Sequence, residues 1–288
     1  MHDLLIAPFE LGFMQRALVI SLIVGALGGI VGTYVVLRRI AFFADTLTHT
    51  VFPGVAIAFV LDGSLYVGAL VAGLVSAVLF GLMSRRDALD DDAFMAIMLT
   101  TFFGFGVMVV SRITTYTNDL VVLLFGRVLT VSRDDIVVTS ALGAIAVLMV
   151  AFAHKELTLR AFDPEGSMAQ GYRPLLLDLW LNIAVTLVVV ASLKAVGTVL
   201  VIALLVTPAA TARLVTGSIR TMMAAAAAVG MAAGVVGLLI SYHASVNHGI
   251  RLAAGPTIVS VLTLSFLVAL GGVTVRRRLR RPAALVAA

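Results

Sequence analysis

The sequence predicts an all-α, polytopic membrane protein that forms a single transmembrane domain over residues 1–288. Of the 288 residues, 61% are apolar and 12% are charged, whereas a soluble domain is typically about 45–50% apolar and about 25% charged. A soluble protein of this size still needs a polar surface, so the composition excludes a soluble enzyme. The apolar residues form runs near the roughly 20 residues that a helix needs to cross a bilayer, without the alternating polarity of a β-barrel.

Nine apolar runs are long enough to be membrane spans. We predict them at residues 14–37, 42–61, 64–83, 93–111, 135–153, 177–193, 196–212, 221–242 and 255–275. The segment 120–131 is too short to cross comfortably, and we expect a re-entrant or broken helix there. The prediction is therefore about eight to ten transmembrane or re-entrant helices.

The first span carries four glycines that predict close helix packing. Gly25 and Gly29, and likewise Gly28 and Gly32, are four residues apart and therefore share a helix face. Such small residues let helix backbones approach closely in lipid, where the hydrophobic effect does not drive helices together. A phosphate-binding glycine loop is disfavoured because no polar or basic residue follows at the required positions.

Basic residues cluster at the ends of the apolar runs, as the positive-inside rule predicts for cytoplasmic segments. The clusters are Arg38 and Arg39, Arg85 and Arg86, the stretch from His154 to Arg173, Arg213 and Arg220, and a basic tail over residues 276–288. We attribute the net charge of +5 to membrane topology rather than to nucleic-acid binding. The C-terminus is then inside, and the stretch from His243 to Arg251 is outside. Lys194 and Asp178, near span ends, are expected to reach the membrane surface by snorkelling.

The second span contains an acid and a histidine at membrane depth, where ionisable residues are costly and therefore functional candidates. Asp45 and His49 are four residues apart, so they share one helix face about one turn from each other. They follow Arg38 by seven and eleven residues, which places them roughly 10 and 16 Å into the bilayer. A carboxylate and an imidazole on one face form a half-site for a divalent cation.

Two interpretations of this pair stay open on its residues alone. An Asp–His ion pair could simply hold helices together, whereas the flanking Thr46, Thr48 and Thr50 predict a polar face and favour a solvated pathway. Pro53 and Gly54 follow directly, and they predict a break or kink that frees backbone carbonyls.

Several motifs, in order along residues 14–275, resemble the membrane permease subunits of bacterial ABC importers for manganese, zinc and iron. The pattern Arg-Arg-x5-Asp-x-Leu-x-His-x3-Pro-Gly, from Arg38 to Gly54, is the most informative. The other matching segments are Asp119 to Gly126, Phe162 to Glu165 with Gly171, Lys194 to Leu200, Thr207 to Arg213, and Ala254 to Val259. One departure is Thr48, since the family usually has a smaller residue before the histidine.

The resemblance implies the ABC importer permease fold in a bacterial inner or plasma membrane, with Asp45 and His49 lining the metal path. Two copies of the permease, a homodimer, are expected to surround a central pathway and to bring two half-sites together. The resemblance also implies a cytoplasmic ATP-binding subunit, which holds ATP and Mg²⁺, and an extracytoplasmic metal-binding solute-binding protein.

The cytoplasmic loop over about residues 154–176 is, by the same resemblance, the part that couples to the ATP-binding subunit. Its candidate coupling residues are Asp163, Pro164, Glu165, Met168 and Gly171. A solvated connecting loop is the alternative. The chain itself is not expected to be an enzyme or to hold a resident cofactor, because its only lysines, Lys155 and Lys194, do not form a Gly-x4-Gly-Lys-Ser/Thr motif.

Manganese is the first choice of substrate, because the pair offers oxygen and nitrogen ligands and the sequence has no cysteine. The alternatives are zinc or iron in the same type of importer, and a proton-coupled secondary metal transporter with Asp45 as proton carrier. His243 and His248 suggest an external metal relay, although two interfacial histidines in a loop would produce the same pattern.

Overall fold

The structure, a computed structural model, describes residues 7–84, 90–111, 126, 128–250 and 252–280. These residues form twelve α-helices, two short 3₁₀ turns and no β-strand, which confirms the predicted all-helical class. The helices are α1 (Gly12–Leu37), α2 (Ala41–Thr50), α3 (Phe52–Val60), α4 (Leu65–Met83), α5 (Asp91–Val110), α6 (Arg133–Phe152), α7 (His154–Phe162), α8 (Pro164–Ala169), α9 (Pro174–Val196), α10 (Thr198–Val215), α11 (Ile219–His248) and α12 (Ala254–Arg280).

Nine helical spans within the described residues are long and apolar enough to cross a membrane, and they correspond to the nine predicted runs. The second span consists of α2 and α3 together. The largest difference is at α11, which continues to His248 rather than ending near residue 242. Its last turns are exposed, so polar residues are tolerated there, and the helix ends only where Gly249 adopts a φ of 65°. Most of the segment 120–131, as well as Arg85, Arg86 and Arg251, lies outside the described residues.

The glycines of α1 pack backbone to backbone against α10 and α11. A Cβ atom on Gly29 would lie 2.3 Å from the amide nitrogen of Ala227 in α11. A Cβ atom on Gly32 would lie 1.8 Å from the carbonyl oxygen of Leu205 in α10. No side chain fits at these distances, so the predicted role of the glycine pattern in close helix packing is confirmed.

The second span is divided at Val51 into α2 and α3. Pro53 has no amide hydrogen and cannot donate to the carbonyl of His49, so the helix breaks close to where the sequence predicts. In α3, a Cβ atom on Gly54 would lie 2.0 Å from the carbonyl oxygen of Gly68 in α4. This close crossing fixes α3 against α4, while α2 packs on α5 and α9.

The ends of α1 and α10 and the loop that contains α7 and α8 meet at one end of the bundle, which we call the basic end. Four arginines surround one cavity there: Arg38, Arg39, Arg160 and Arg213. At the opposite end, Lys194 Nζ lies 2.8 Å from Asp135 Oδ1, and the Tyr66 hydroxyl donates to the same oxygen at 2.8 Å. Snorkelling therefore explains the position of Lys194 only in part, because its ammonium group pairs with the carboxylate of Asp135, 59 residues away in the chain.

Candidate metal-binding half-site

α2 is a mostly buried helix whose open face carries the two candidate metal ligands. Phe43 and Leu47 are fully buried, and the Phe43 ring stacks on Phe80 of α4 with 4.4 Å between the centroids. Asp45 and His49, by contrast, keep 36% and 28% of their side-chain surface exposed. The apolar face thus holds the helix in the bundle and leaves the Asp45–His49 face open.

Asp45 and His49 lie close to each other without forming a hydrogen bond. The Asp45 Oδ1 and His49 Nε2 atoms are 4.0 Å apart, which is beyond hydrogen-bond distance. A cation that binds oxygen and nitrogen at about 2.0–2.2 Å fits between atoms at this separation. The His49 ring meets Phe103 of α5 edge-on, with 5.8 Å between the centroids, and this contact restricts its orientation. The geometry therefore suits a shared cation better than a closed ion pair.

The three neighbouring threonines do not belong to this face. Thr46, Thr48 and Thr50 are each at most 1% exposed. Thr48 Oγ1 donates to the backbone carbonyl of Asp45 at 2.8 Å, which satisfies the hydroxyl inside the helix. The expectation of a continuous polar face is therefore wrong, because each threonine is one residue from Asp45 or His49 and is rotated by about 100° around the helix.

The described part of one chain supplies too few ligands for a complete metal site. Among the described residues, no three His, Cys, Asp or Glu side chains come together. One carboxylate and one imidazole give two or three donor atoms, whereas divalent ions take about four or more. The Asp45–His49 pair is therefore at most a half-site.

His243 is not brought into this half-site. It lies near the end of α11, where its ring meets Tyr242 edge-on with 5.5 Å between the centroids. Its Nδ1 atom lies 3.4 Å from the side-chain amide nitrogen of Asn247. The side chain of His248 lies outside the described residues. A metal relay by these two histidines therefore rests on the sequence alone.

The loop expected to couple to the ATP-binding subunit folds into two short helices, α7 and α8. Asp163 caps α8, since its Oδ1 atom accepts the amide of the residue three positions later at 2.8 Å, and Pro164 occupies the first helical position. Gly171, with a φ of 84°, follows the end of this helix. Glu165 and Met168 are exposed, so α8 presents an acidic and an apolar side chain at the basic end.

One cluster of charged side chains at the basic end is not predicted by the sequence. Asp178 of α9 pairs with Arg38 at 2.5 Å through one carboxylate oxygen and with Arg160 at 3.1 Å through the other. Burial lowers the pKa of Arg38, and the Asp178 carboxylate partly opposes that effect. Asp178 thus has two partners and does not simply snorkel to the membrane surface.

This cluster connects the loop over about residues 154–176 with the chain that precedes α2. Arg38 precedes Asp45 by seven residues, and Arg160 precedes Asp163 by three. The carboxylate of Asp178 therefore holds the chain before α2 and the chain before α8 in one place. The signal in the sequence is a single acid, Asp178, near the start of a span that directly follows Arg173.

The assignment to a family comes from comparison with known proteins. A family model described as the ABC 3 transport family matches residues 10–272 of this chain. The chain belongs to the ABC 3 transport family. As a family member with nine membrane-length helices in its described part, it is a multi-pass permease of the cell membrane.

Two relatives in this family match almost the full chain. The manganese transport system membrane protein MntC of Listeria innocua is 34% identical over 260 residues, which cover 90% of this chain and 90% of the relative. The chelated iron transport system membrane protein YfeD of Yersinia pestis is 35% identical over 270 residues, which cover 94% of this chain and 89% of the relative.

A solved structure confirms the fold that the motifs imply. The structure described as PsaBC from Streptococcus pneumoniae in complex with Fab matches with a TM-score of 0.81 and 30% identity. The match covers 93% of this chain and 95% of the chain compared. The chain therefore has the ABC permease fold over nearly its whole length.

Proposed function

We propose that this permease translocates a divalent transition metal ion, with manganese as the first choice, as one subunit of an ATP-driven importer. The observation that carries the proposal is the Asp45–His49 pair, whose Oδ1 and Nε2 atoms are 4.0 Å apart on the open face of a mostly buried helix. Ionisable side chains at membrane depth are expensive, so they are kept where an ion or substrate needs them.

The choice of metal follows from the ligands and is supported by the relatives. A carboxylate oxygen suits manganese, and neither residue offers the sulfur that selects softer ions. The Listeria relative is named for manganese transport and the Yersinia relative for chelated iron transport. Zinc or iron is the alternative cargo at the same half-site, since affinity order alone favours zinc over manganese.

Two copies of the chain are proposed to form one complete site across a two-fold axis. One chain offers two or three donor atoms, and symmetry doubles this number without any further residues. Two Asp45 carboxylates then neutralise one dication in the membrane, where an unpaired charge is costly. The exposed position of Asp45 and His49 supports this arrangement, because a ligand pair must be open to the partner subunit to share an ion.

Energy for transport is proposed to come from a separate cytoplasmic subunit that binds ATP and Mg²⁺. The sequence of this chain contains no Gly-x4-Gly-Lys-Ser/Thr motif, so hydrolysis requires another protein. The loop over about residues 154–176 docks on that subunit through α8, and the Asp178 cluster provides a rigid connection from the loop to the start of α2. In this arrangement residues 1–288 act as one transmembrane domain, with the tail over residues 276–288 in the cytoplasm.

Delivery of the ion is proposed to depend on an extracytoplasmic metal-binding protein. His243 and His248 lie at the end of α11, opposite the basic end, where such a protein would dock. They are candidates for a transient ligand between that protein and the Asp45–His49 half-site. Replacing both with glutamine is expected to lower uptake only at low external metal concentration.

The test of the proposed function compares Asp45→Asn with Asp62→Asn. Both changes remove one carboxylate charge from the second span or its end, but Asp62 lies just beyond α3 and is exposed. In a manganese-import-deficient bacterium that expresses the complete importer, Asp45→Asn is expected to lower the initial rate of manganese uptake by about tenfold or more. Asp62→Asn is expected to leave it near the wild-type rate. Wild-type uptake by Asp45→Asn at equal membrane expression would refute the site.

A further inference from the structure

A cavity of about 410 Å³ at the basic end is lined by four arginines and by no acidic residue. Arg38 and Arg39 follow the end of α1, Arg160 belongs to α7, and Arg213 lies near the end of α10. The remaining walls are apolar, and Leu37 and Phe162 are their largest side chains. Neither Asp45 nor His49 lines this cavity.

The positive charge of the cavity is only partly balanced within the chain. Arg38 and Arg160 share the single carboxylate of Asp178. Arg39 and Arg213 are exposed, and no carboxylate of the described residues is within ion-pair distance of either guanidinium. Four guanidinium groups line the cavity, and among the described residues only the Asp178 carboxylate pairs with them, so the lining carries an excess of positive charge. Like charges at this density repel one another, and an anion between them relieves the repulsion.

The position of these arginines at the ends of two membrane spans brings lipid headgroups within their reach. Arg39 is two residues beyond the end of the span Gly12–Leu37, and Arg213 is two residues before the end of the span Thr198–Val215. Such positions lie at the level of the lipid headgroups. A guanidinium group can donate two parallel hydrogen bonds to two oxygens of one phosphate. Basic pockets between helices at the cytoplasmic surface bind anionic lipid headgroups. The apolar walls supply contact for the carbon atoms next to the phosphate.

Membrane topology and docking of the ATP-binding subunit each account for single arginines but not for the cavity. The positive-inside rule makes arginine frequent at this end, but it does not require four arginines to surround one space. An acidic patch on the ATP-binding subunit would pair with side chains that project from the loop. Arg39 and Arg213, by contrast, come from the ends of two membrane spans.

We propose that this arginine cavity binds a phosphate group, either that of an anionic phospholipid headgroup or a free phosphate anion that reaches the same guanidinium groups. The site is separate from the metal half-site and does not depend on the proposed cargo. Phosphate bound there joins the end of α1, the end of α10 and the loop that carries α8. Occupancy therefore stabilises the arrangement of the basic end.

The test measures thermal stability of the full-length chain in a non-ionic detergent with defined additives. Unfolding is followed by the fluorescence of Trp180, the single tryptophan of the sequence. The additives are phosphatidylglycerol, phosphatidylcholine, inorganic phosphate, and sodium chloride at matched ionic strength. Phosphatidylglycerol at about 100 times its dissociation constant is expected to raise the melting temperature by about 5 °C over phosphatidylcholine.

The decisive variant is Arg39→Gln combined with Arg213→Gln, which keeps a long polar side chain at two exposed positions. It is expected to lose most of the stabilisation by phosphatidylglycerol. The matched control is Arg220→Gln combined with Arg276→Gln, which removes two exposed basic charges outside the cavity. The control is expected to keep the full response. If the double variant proves too unstable to purify, dose series on Arg39→Gln and Arg213→Gln separately are each expected to raise the half-maximal lipid concentration about tenfold.

The outcomes distinguish the two phosphate sources and can overturn the site itself. A response to phosphatidylglycerol alone assigns the headgroup as the ligand, and a response to inorganic phosphate alone assigns the free anion. If the cavity variant and the control variant lose the same amount of stabilisation by phosphatidylglycerol, the proposal is overturned. Positive charge anywhere at this end would then explain the stabilisation. The proposal would also be overturned if neither phosphatidylglycerol nor inorganic phosphate stabilises the wild type, or if the cavity variant keeps the full response to both.

Discussion

The ionisable residues of the spans fall into two kinds when their contacts are compared. Asp178 and Asp135 each have a cationic partner at 2.5–2.8 Å, so their charges are neutralised inside the chain. Asp45 and His49 are held at 4.0 Å and remain more exposed than Asp178, which is 22% exposed. This difference separates the pairs that hold helices together from the pair that is open to a cation.

Replacing Asp178 tests the structural half of this distinction. Asp178→Asn leaves two partly buried guanidinium groups without a carboxylate, so the free energy of unfolding is expected to fall by about 2 kcal/mol. Asp134→Asn, at an exposed position near the start of α6, is the matched control and is expected to change it little. The measurement is thermal or denaturant unfolding of the purified protein in detergent. Equal stability of the two variants would show that the cluster is not needed.

At the residue scale, sequence reasoning succeeds where the partners are near in the chain. Asp45 and His49 are four residues apart on one helix, so their common face follows from helix geometry. Asp178 and Arg38 are 140 residues apart, and their pairing depends on how α1 and α9 meet. The threonines beside the pair show the opposite error, since they are near Asp45 and His49 in the sequence but are rotated away from that helix face and buried.

Helix α1 depends on small residues for its close packing, and a pair of glycine variants tests this dependence. Gly29→Ala places a methyl group 2.3 Å from the backbone of α11, which forces the two helices apart, and we expect a loss of about 1–3 kcal/mol in stability. Gly271→Ala in α12 is the control, because nothing lies within 4 Å of its added Cβ atom. The readout is the yield of monodisperse protein and its melting temperature. A loss of yield for both variants would contradict the packing role of Gly29.

α8 is the element through which coupling to ATP hydrolysis is proposed, and its exposed methionine tests that role. Met168→Asp is expected to reduce co-purification of the ATP-binding subunit and to lower metal uptake by about tenfold, because a charge replaces an apolar contact. Val215→Asp introduces the same charge at another exposed apolar position of the basic end and is expected to have little effect. Normal association and normal metal-stimulated hydrolysis by Met168→Asp would count against docking through α8.

The boundaries of these elements are predictable only where a strong local signal exists. Pro164 and Gly171 mark the start and end of α8, and Pro53 marks the break of the second span, because each imposes a backbone geometry of its own. The end of α11 carries no such signal before Gly249, and hydrophobicity alone ends the predicted span six residues too early. Apolarity defines the membrane part of a helix rather than the helix itself.

For the molecule as a whole, composition and motif order are sufficient to predict the fold class, whereas a complete set of metal ligands does not follow from one chain's described residues. The nine membrane-length helices of the described ranges and the motif at Arg38 to Gly54 are properties of one chain. A full set of metal ligands is not found among the described residues of one chain, which offer only the Asp45–His49 pair. We therefore propose that a second copy of the chain completes the cargo site.

The most direct test is a structure of the assembled importer, determined with manganese present. We expect one metal density on the two-fold axis, with the Asp45 and His49 ligand atoms of both copies about 2.0–2.6 Å from it. The same preparation of Asp45→Asn is expected to lack this density while keeping the dimer. Density at the pair of a single copy, with the other pair more than about 8 Å away or facing lipid, would contradict the shared site.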